Sequence, residues 1–267
     1  MRRIKKCTVF LLVLCLLLNL AGCAAAQKPL RVTLVLKTVT EVAEFWGTLL
    51  SGVEKAAEEY GVELKVLTSP REIDIDKQIE LIRQVTADKP DVMILSAADY
   101  DRCAEATEDA IAAGIGVVAI DTDVNAAGRA CFVGSNSYEI GLEMGRAMAS
   151  YLPEGGKVAV IQHMLTTTTG IERTRGVLDA LNEAGNIEIL GSFCCDNSTE
   201  QAQTITTELL SADPEIRGFV CTNEVCNVGA ANALVELGMG GRVYVVGCDN
   251  SQRQIQFLEQ NIIQAIV

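Results

Sequence analysis

Short apolar, β-branched runs alternate along this chain with longer stretches of helical period. The first series reads Val32–Leu36 then Glu44–Glu59, Leu64–Leu67 then Asp76–Asp88, Val92–Leu95 then Arg102–Ala113, and Val117–Ile120. A second series runs through Ala130–Val133, Tyr138–Tyr151, Val158–Gln162, Ile171–Glu183, Ile187–Phe193, Glu200–Ser211, Gly218–Cys221, Val225–Leu237, Val243–Val246, Gln252–Gln260 and Gln264–Val267. Strands separated by helices must run parallel and be covered on both faces, which predicts an α/β fold. Two such series predict two Rossmann-like lobes with a cleft between them, residues 30–124 and 125–267. The break is placed at Asp121–Gly128, where the apolar run gives way to Asp121-Thr122-Asp123-Val124-Asn125.

The first 22 residues read differently from the rest. Arg2, Arg3, Lys5 and Lys6 form a positive head, and Cys7–Leu18 is an apolar run too short for the roughly 20 residues that span a bilayer. This is the layout of a secretory signal. Leu20-Ala21-Gly22-Cys23 resembles the lipobox of bacterial lipoproteins, which implies a lipid on Cys23 and a short tether over 23–29.

The 267 residues are 49% hydrophobic, 21% charged and only 4% aromatic, with a formal charge of −13, so disordered and collagen-like classes drop out. Without the signal segment, 18 basic residues face 35 acidic ones, a net of −17, which argues against nucleic acid as a partner. Of ten cysteines, seven remain beyond Cys23: Cys103, Cys131, Cys194, Cys195, Cys221, Cys226 and Cys248. Most lie in apolar runs and read as small core hydrophobes; an odd number leaves at least one unpaired in a monomer.

In open parallel sheets a ligand sits beyond the carboxyl ends of the strands. That rule selects Lys37, Thr38, Glu41 and Phe45-Trp46 after the first strand, then Ser96 and Asp99, then Asp121 and Asp123. In the second series it selects His163, Arg173, Asp196, Asn197, Asn223, Glu224, Asp249 and Asn250. Carboxylates accept from paired hydroxyls, arginine donates in a fixed fork, and aromatic faces pack on the apolar face of a ring. Together they suit a neutral polyol.

Several stretches carry a family resemblance across nearly the whole chain beyond the signal. They are Phe45-Trp46 followed by Gly52-Val53-Glu54-Lys55-Ala56-Ala57; Gly116-Val117-Val118-Ala119-Ile120-Asp121; Phe132-Val133-Gly134-Ser135-Asn136; Arg173 ahead of Gly176; Cys221-Thr222-Asn223-Glu224 leading into Gly229-Ala230; and Val246-Gly247-Cys248-Asp249. In order and spacing the sequence resembles periplasmic sugar-binding proteins of the ribose-binding type, the extracytoplasmic receptors of ABC importers. The resemblance implies the type 1 periplasmic-binding-protein fold, hinge closure near Asp121–Asn125 on a monosaccharide, an ABC permease as partner, action as a monomer, no cofactor and no catalysis. Phe45 and Trp46 would stack on the sugar, Asp121 and Asp249 would accept from hydroxyls, and Arg173 and Asn223 would donate. Ser96, Thr122, Ser135 and Asn197 complete the expected set; Ser96, Thr122 and Asn197 stand where the family often has asparagine, arginine and an aromatic, which leaves the sugar open. Family members also continue beyond Val267, so the resemblance implies a C-terminally incomplete chain.

Simpler roles compete at each position. One of Phe45 and Trp46 is expected in the core, Asp121 can pair with a lysine, Arg173 can hold a surface carboxylate, and Asn223 can cap the helix it precedes, which is compatible with ligand contact. His163, the single histidine, reads as a satisfied strand-end residue. Gly114-Ile115-Gly116-Val117-Val118-Ala119 matches the dinucleotide fingerprint by letter but follows a helix and enters a strand, so it is a helix stop. Three rivals share parts of this reading: a sensor feeding a membrane kinase, a repressor effector lobe, and a sugar-modifying enzyme.

Overall fold

The computed structural model describes residues 28–39 and 44–267. The expected signal segment, Cys23 with most of the tether, and Glu41 lie outside the described residues.

Strands β1 (Arg31–Leu36), β2 (Glu63–Thr68), β3 (Val92–Leu95), β4 (Gly116–Ile120) and β5 (Cys131–Val133) form a sheet in the order β2-β1-β3-β4-β5. Strands β6 (Gly156–Gln162), β7 (Ile187–Cys194), β8 (Ile216–Cys221), β9 (Tyr244–Gly247) and β10 (Ala265–Ile266) form another in the order β10-β9-β8-β6-β7. Every pairing within them is parallel. The second sheet repeats the winding of the first, so β6 through β10 are the topological counterparts of β1 through β5. Crossovers are made by α1 (Glu44–Tyr60), α2 (Ile75–Asp88) and α3 (Ala104–Ala112) in the first lobe. Helix α4 (Ser137–Tyr151) links β5 of the first sheet to β6 of the second, where the crossovers are α5 (Thr168–Ala184), α6 (Thr199–Ala212), α7 (Glu224–Glu236) and α8 (Gln252–Glu259).

Apolar packing covers both faces of each sheet, as parallel strands require. In the first lobe Val35, Met93, Leu95 and Val117 pack with Ile82 and Val85 of α2, while Leu34 and Leu36 meet Trp46 of α1 on the opposite face. In the second, Ile161, Phe219 and Val245 pack toward α7, and Val158, Val160 and Val220 pack toward Met144 and Met148 of α4.

One strand changes lobe relative to the sequence reading. Cys131–Val133, grouped above with the second series, bonds to β4 through Val118–Ile120 in the first sheet. The chain therefore passes between sheets at Gly134-Ser135-Asn136, not near Asp121–Asn125. The polar stretch after β4 is a loop that returns β5 to lie parallel beside it, closed by Ala130 N–H donating to Val117 O (2.7 Å).

Candidate functional site

The carboxyl ends of the two sheets face each other, and their loops line one polar pocket of Lys37, Phe45, Trp46, Glu72, Asp121, His163, Thr169, Arg173, Asn197, Asn223, Glu224, Val225 and Asp249. The repeated winding explains why these residues meet. Lys37 follows β1 as His163 follows β6; Glu72 follows β2 as Asn197 follows β7; Asp121 follows β4 as Asp249 follows β9. Asp121, Asp196, Asn197 and Asp249 all adopt left-handed backbone, with φ of 60°, 50°, 53° and 70°. Asp and Asn tolerate that region better than other side-chain-bearing residues, and at three strand exits it accompanies the side chains of Asp121, Asn197 and Asp249 that line the pocket.

A polar chain crosses the pocket from one lobe to the other. Lys37 Nζ lies 2.8 Å from Glu72 Oε1 and 3.3 Å from Asp121 Oδ2. Burial opposes the Lys37 charge, yet the Asp121 and Glu72 carboxylates lift its pKa above the usual value. Glu72 Oε2 accepts from Asn197 Nδ2 at 2.8 Å, and Asn197 Oδ1 accepts from Asn223 Nδ2 at 2.8 Å. Asn223 Oδ1 accepts the Cys226 N–H (3.0 Å), so this residue both caps α7 and faces the pocket. On the other wall Arg173 Nη1 donates to Thr222 O (2.8 Å), and Nη1 lies 3.9 Å from Asp249 Oδ1. Its buried Nε has no hydrogen-bond partner among the described residues, leaving a donor free. Asp249 Oδ2 accepts the Glu224 N–H (2.9 Å).

Phe45 and Trp46 meet edge to face, ring centroids 5.0 Å apart, and divide the two roles expected of them. Trp46 is 4% exposed and anchors the core beneath the pocket, while Phe45 is 39% exposed at its mouth. His163 is buried, its Nδ1 2.8 Å from Thr222 Oγ1 and its Nε2 3.2 Å from Thr169 Oγ1. Burial, with the Lys37 and Arg173 charges, holds its pKa well below 6.5, so the ring is neutral.

Of the residues expected from sequence, Phe45, Trp46, Asp121, Arg173, Asn197, Asn223 and Asp249 come together on this pocket. Ser96 and Thr122 stand behind it: Ser96 Oγ bonds to Asp121 Oδ2 (3.1 Å) and Thr122 Oγ1 (3.2 Å), and Thr122 donates to Ala97 O (2.7 Å). They hold Asp121 and do not line the pocket. Ser135 lies on the passage between sheets, where it borders adjoining grooves instead. Glu72 and Thr169 were missed. Lys37 was picked out at its strand exit but left out of the expected ligand set; a lysine directly after an apolar strand was the available signal.

Fold and site together define a two-lobed α/β protein with a polar pocket between the facing ends of its sheets. The chain belongs to the periplasmic binding protein family, whose domain model matches residues 33–267. It is 27% identical over 234 residues to the D-ribose/D-allose-binding protein of Pseudomonas aeruginosa, covering 85% of this chain and 72% of that one. With the D-allose-binding periplasmic protein of Escherichia coli it shares 26% over 260 residues, 94% of this chain and 82% of the relative. The structure of an ABC transporter periplasmic solute-binding protein from Actinobacillus succinogenes with bound D-allose superposes with a TM-score of 0.79 at 27% identity, covering 88% of this chain and 84% of that one.

Proposed function

We propose that this chain is the extracytoplasmic receptor of an ABC importer, held to the membrane through Cys23, and that its lobes close on a monosaccharide. The observation that carries the reading is the meeting of Asp121 and Lys37 from one sheet with Arg173, Asn223 and Asp249 from the other, beside the Phe45 ring. Closure is favoured because only the closed form offers ligand both sets of groups, the differential contact that shifts a two-state equilibrium. The D-allose and D-ribose relatives make these sugars the first probes. Trp46 is the only tryptophan and lies at the pocket, so its emission reports binding there. Titration of the full chain in detergent with D-ribose, D-allose and other pentoses and hexoses is expected to give a saturable emission change with at least one. No change in emission and no thermal stabilisation with any of them removes the sugar reading.

A further inference from the structure

Two loops that carry the pocket's asparagines are also joined by an unused pair of thiols. Cys195 follows β7 two residues before Asn197, and Cys226 lies in the first turn of α7, three residues after Asn223. Their sulfurs are 3.4 Å apart across 31 residues of chain, and both side chains are fully buried. The backbone holds them there: Cys195 N–H donates to Gln162 O (3.0 Å) and Cys226 N–H to the Asn223 cap (3.0 Å). The contact with Cys226 lowers the Cys195 pKa, while burial raises that of Cys226.

We propose that Cys195 and Cys226 are a redox pair that forms a disulfide, stapling the β7–α6 loop to the start of α7 and so fixing the Asn197–Asn223 contact from behind. The oxidant is a disulfide of the extracytoplasmic space, and in that respect the proposal rests on the location in the reading above. The Cys195 thiolate attacks the oxidant disulfide, releasing one thiol and leaving a mixed disulfide; the Cys226 thiolate then attacks the Cys195 sulfur and releases the second. The protein loses two protons and two electrons, and both pairs reside in the two thiols produced. Because the sulfurs are fully buried, exchange takes place before the chain closes over them or when the first turn of α7 opens.

The test uses the full chain refolded in detergent with either reduced or oxidised glutathione, then alkylated, digested without reductant and mapped by mass spectrometry. The expected product after oxidation is a Cys195–Cys226 cross-link that is two hydrogens lighter than the separate peptides and is reversed by reductant. The oxidised chain is expected to melt roughly 5–10 °C above the reduced one. C226S loses both effects, whereas C194S and C221S keep them; C195A replaces C226S if the latter does not fold. Full alkylation of both thiols in the oxidised sample, or a link from Cys195 to Cys194 or Cys221, overturns the proposal. Sugar titration of the reduced protein is independent of this result, so failure of the thiol pair and failure of the sugar reading are separately visible.

Discussion

Asn197 Nδ2 donates to Glu72 Oε2 across the cleft at 2.8 Å, joining loops that are topological counterparts in the two lobes. It is a bond made only while the lobes meet. Replacing Asn197 with Ala removes a hydrogen bond to a carboxylate, worth about 1–3 kcal/mol, from the closed arrangement. The ligand-free N197A chain is expected to show a larger radius of gyration by small-angle scattering than the wild type; identical profiles would falsify a latching role.

Lys37 is compensated by Glu72 and Asp121 while its side chain is only 5% exposed. K37M keeps the apolar stem and leaves two carboxylates without their cation. Removing one member of a buried ionic group typically costs about 3–5 kcal/mol, so the urea midpoint is expected to fall sharply. A midpoint within error of wild type would mean that Glu72 and Asp121 are solvated without Lys37.

Asp121 and Arg173 present acceptor and donor groups from opposite lobes. D121A and R173A are each expected to weaken binding of whichever sugar the wild type takes by about 2–5 kcal/mol, because partner groups are left unpaired. Calorimetric titration of each variant measures this, and wild-type affinity in both removes them from the ligand contacts.

Gly141 of α4 supports the site at a distance. A Cβ there would collide with the backbone carbonyl of Arg173, and one on Gly176 would collide with that of Tyr138, so α4 and α5 approach through paired glycines. G141A pushes α5 away and carries Arg173 with it. The expected cost is about 1–3 kcal/mol of stability, as for other overpacked positions, together with weaker sugar binding. Unchanged denaturation and binding would show that the helices part freely.

His163 gives the fold a pH dependence of definite sign. Its folded pKa lies well below 6.5, so between those values the unfolded chain takes up a proton that the folded chain refuses. Stability is fully retained above pH 6.5 and declines as pH falls through that window, by up to about 1.4 kcal/mol per pH unit. Urea midpoints from about pH 7 to about pH 5 should fall more steeply for wild type than for H163Q. Equal slopes would place the dependence on other groups.

Local pattern went far in this chain. The alternation of β-branched runs with helical stretches is a property of neighbouring residues, and it carries the parallel α/β class, most element boundaries and the strand exits where Asp121, Asn223 and Asp249 stand. Lobe membership of β5 was not legible, because Cys131-Phe132-Val133 has the same pattern whichever sheet it joins, and hydrogen bonding to β4 decides. Ser96 was read as a ligand contact from its strand exit and Thr122 from the family resemblance; packing turned both behind Asp121.

What the sequence determined by itself is therefore what depends on short-range periodicity and chain stiffness: strand, helix, parallel sheet, and the candidate loops. The tertiary structure alone decided that Lys37 and Glu72 join Asp121, Arg173 and Asp249 in the pocket. Glu72 looks like any loop carboxylate until Asn197, 125 residues away, meets it and Lys37 neutralises it. Burial of a charge depends on the groups that approach from distant parts of the chain, and no local pattern encodes that approach.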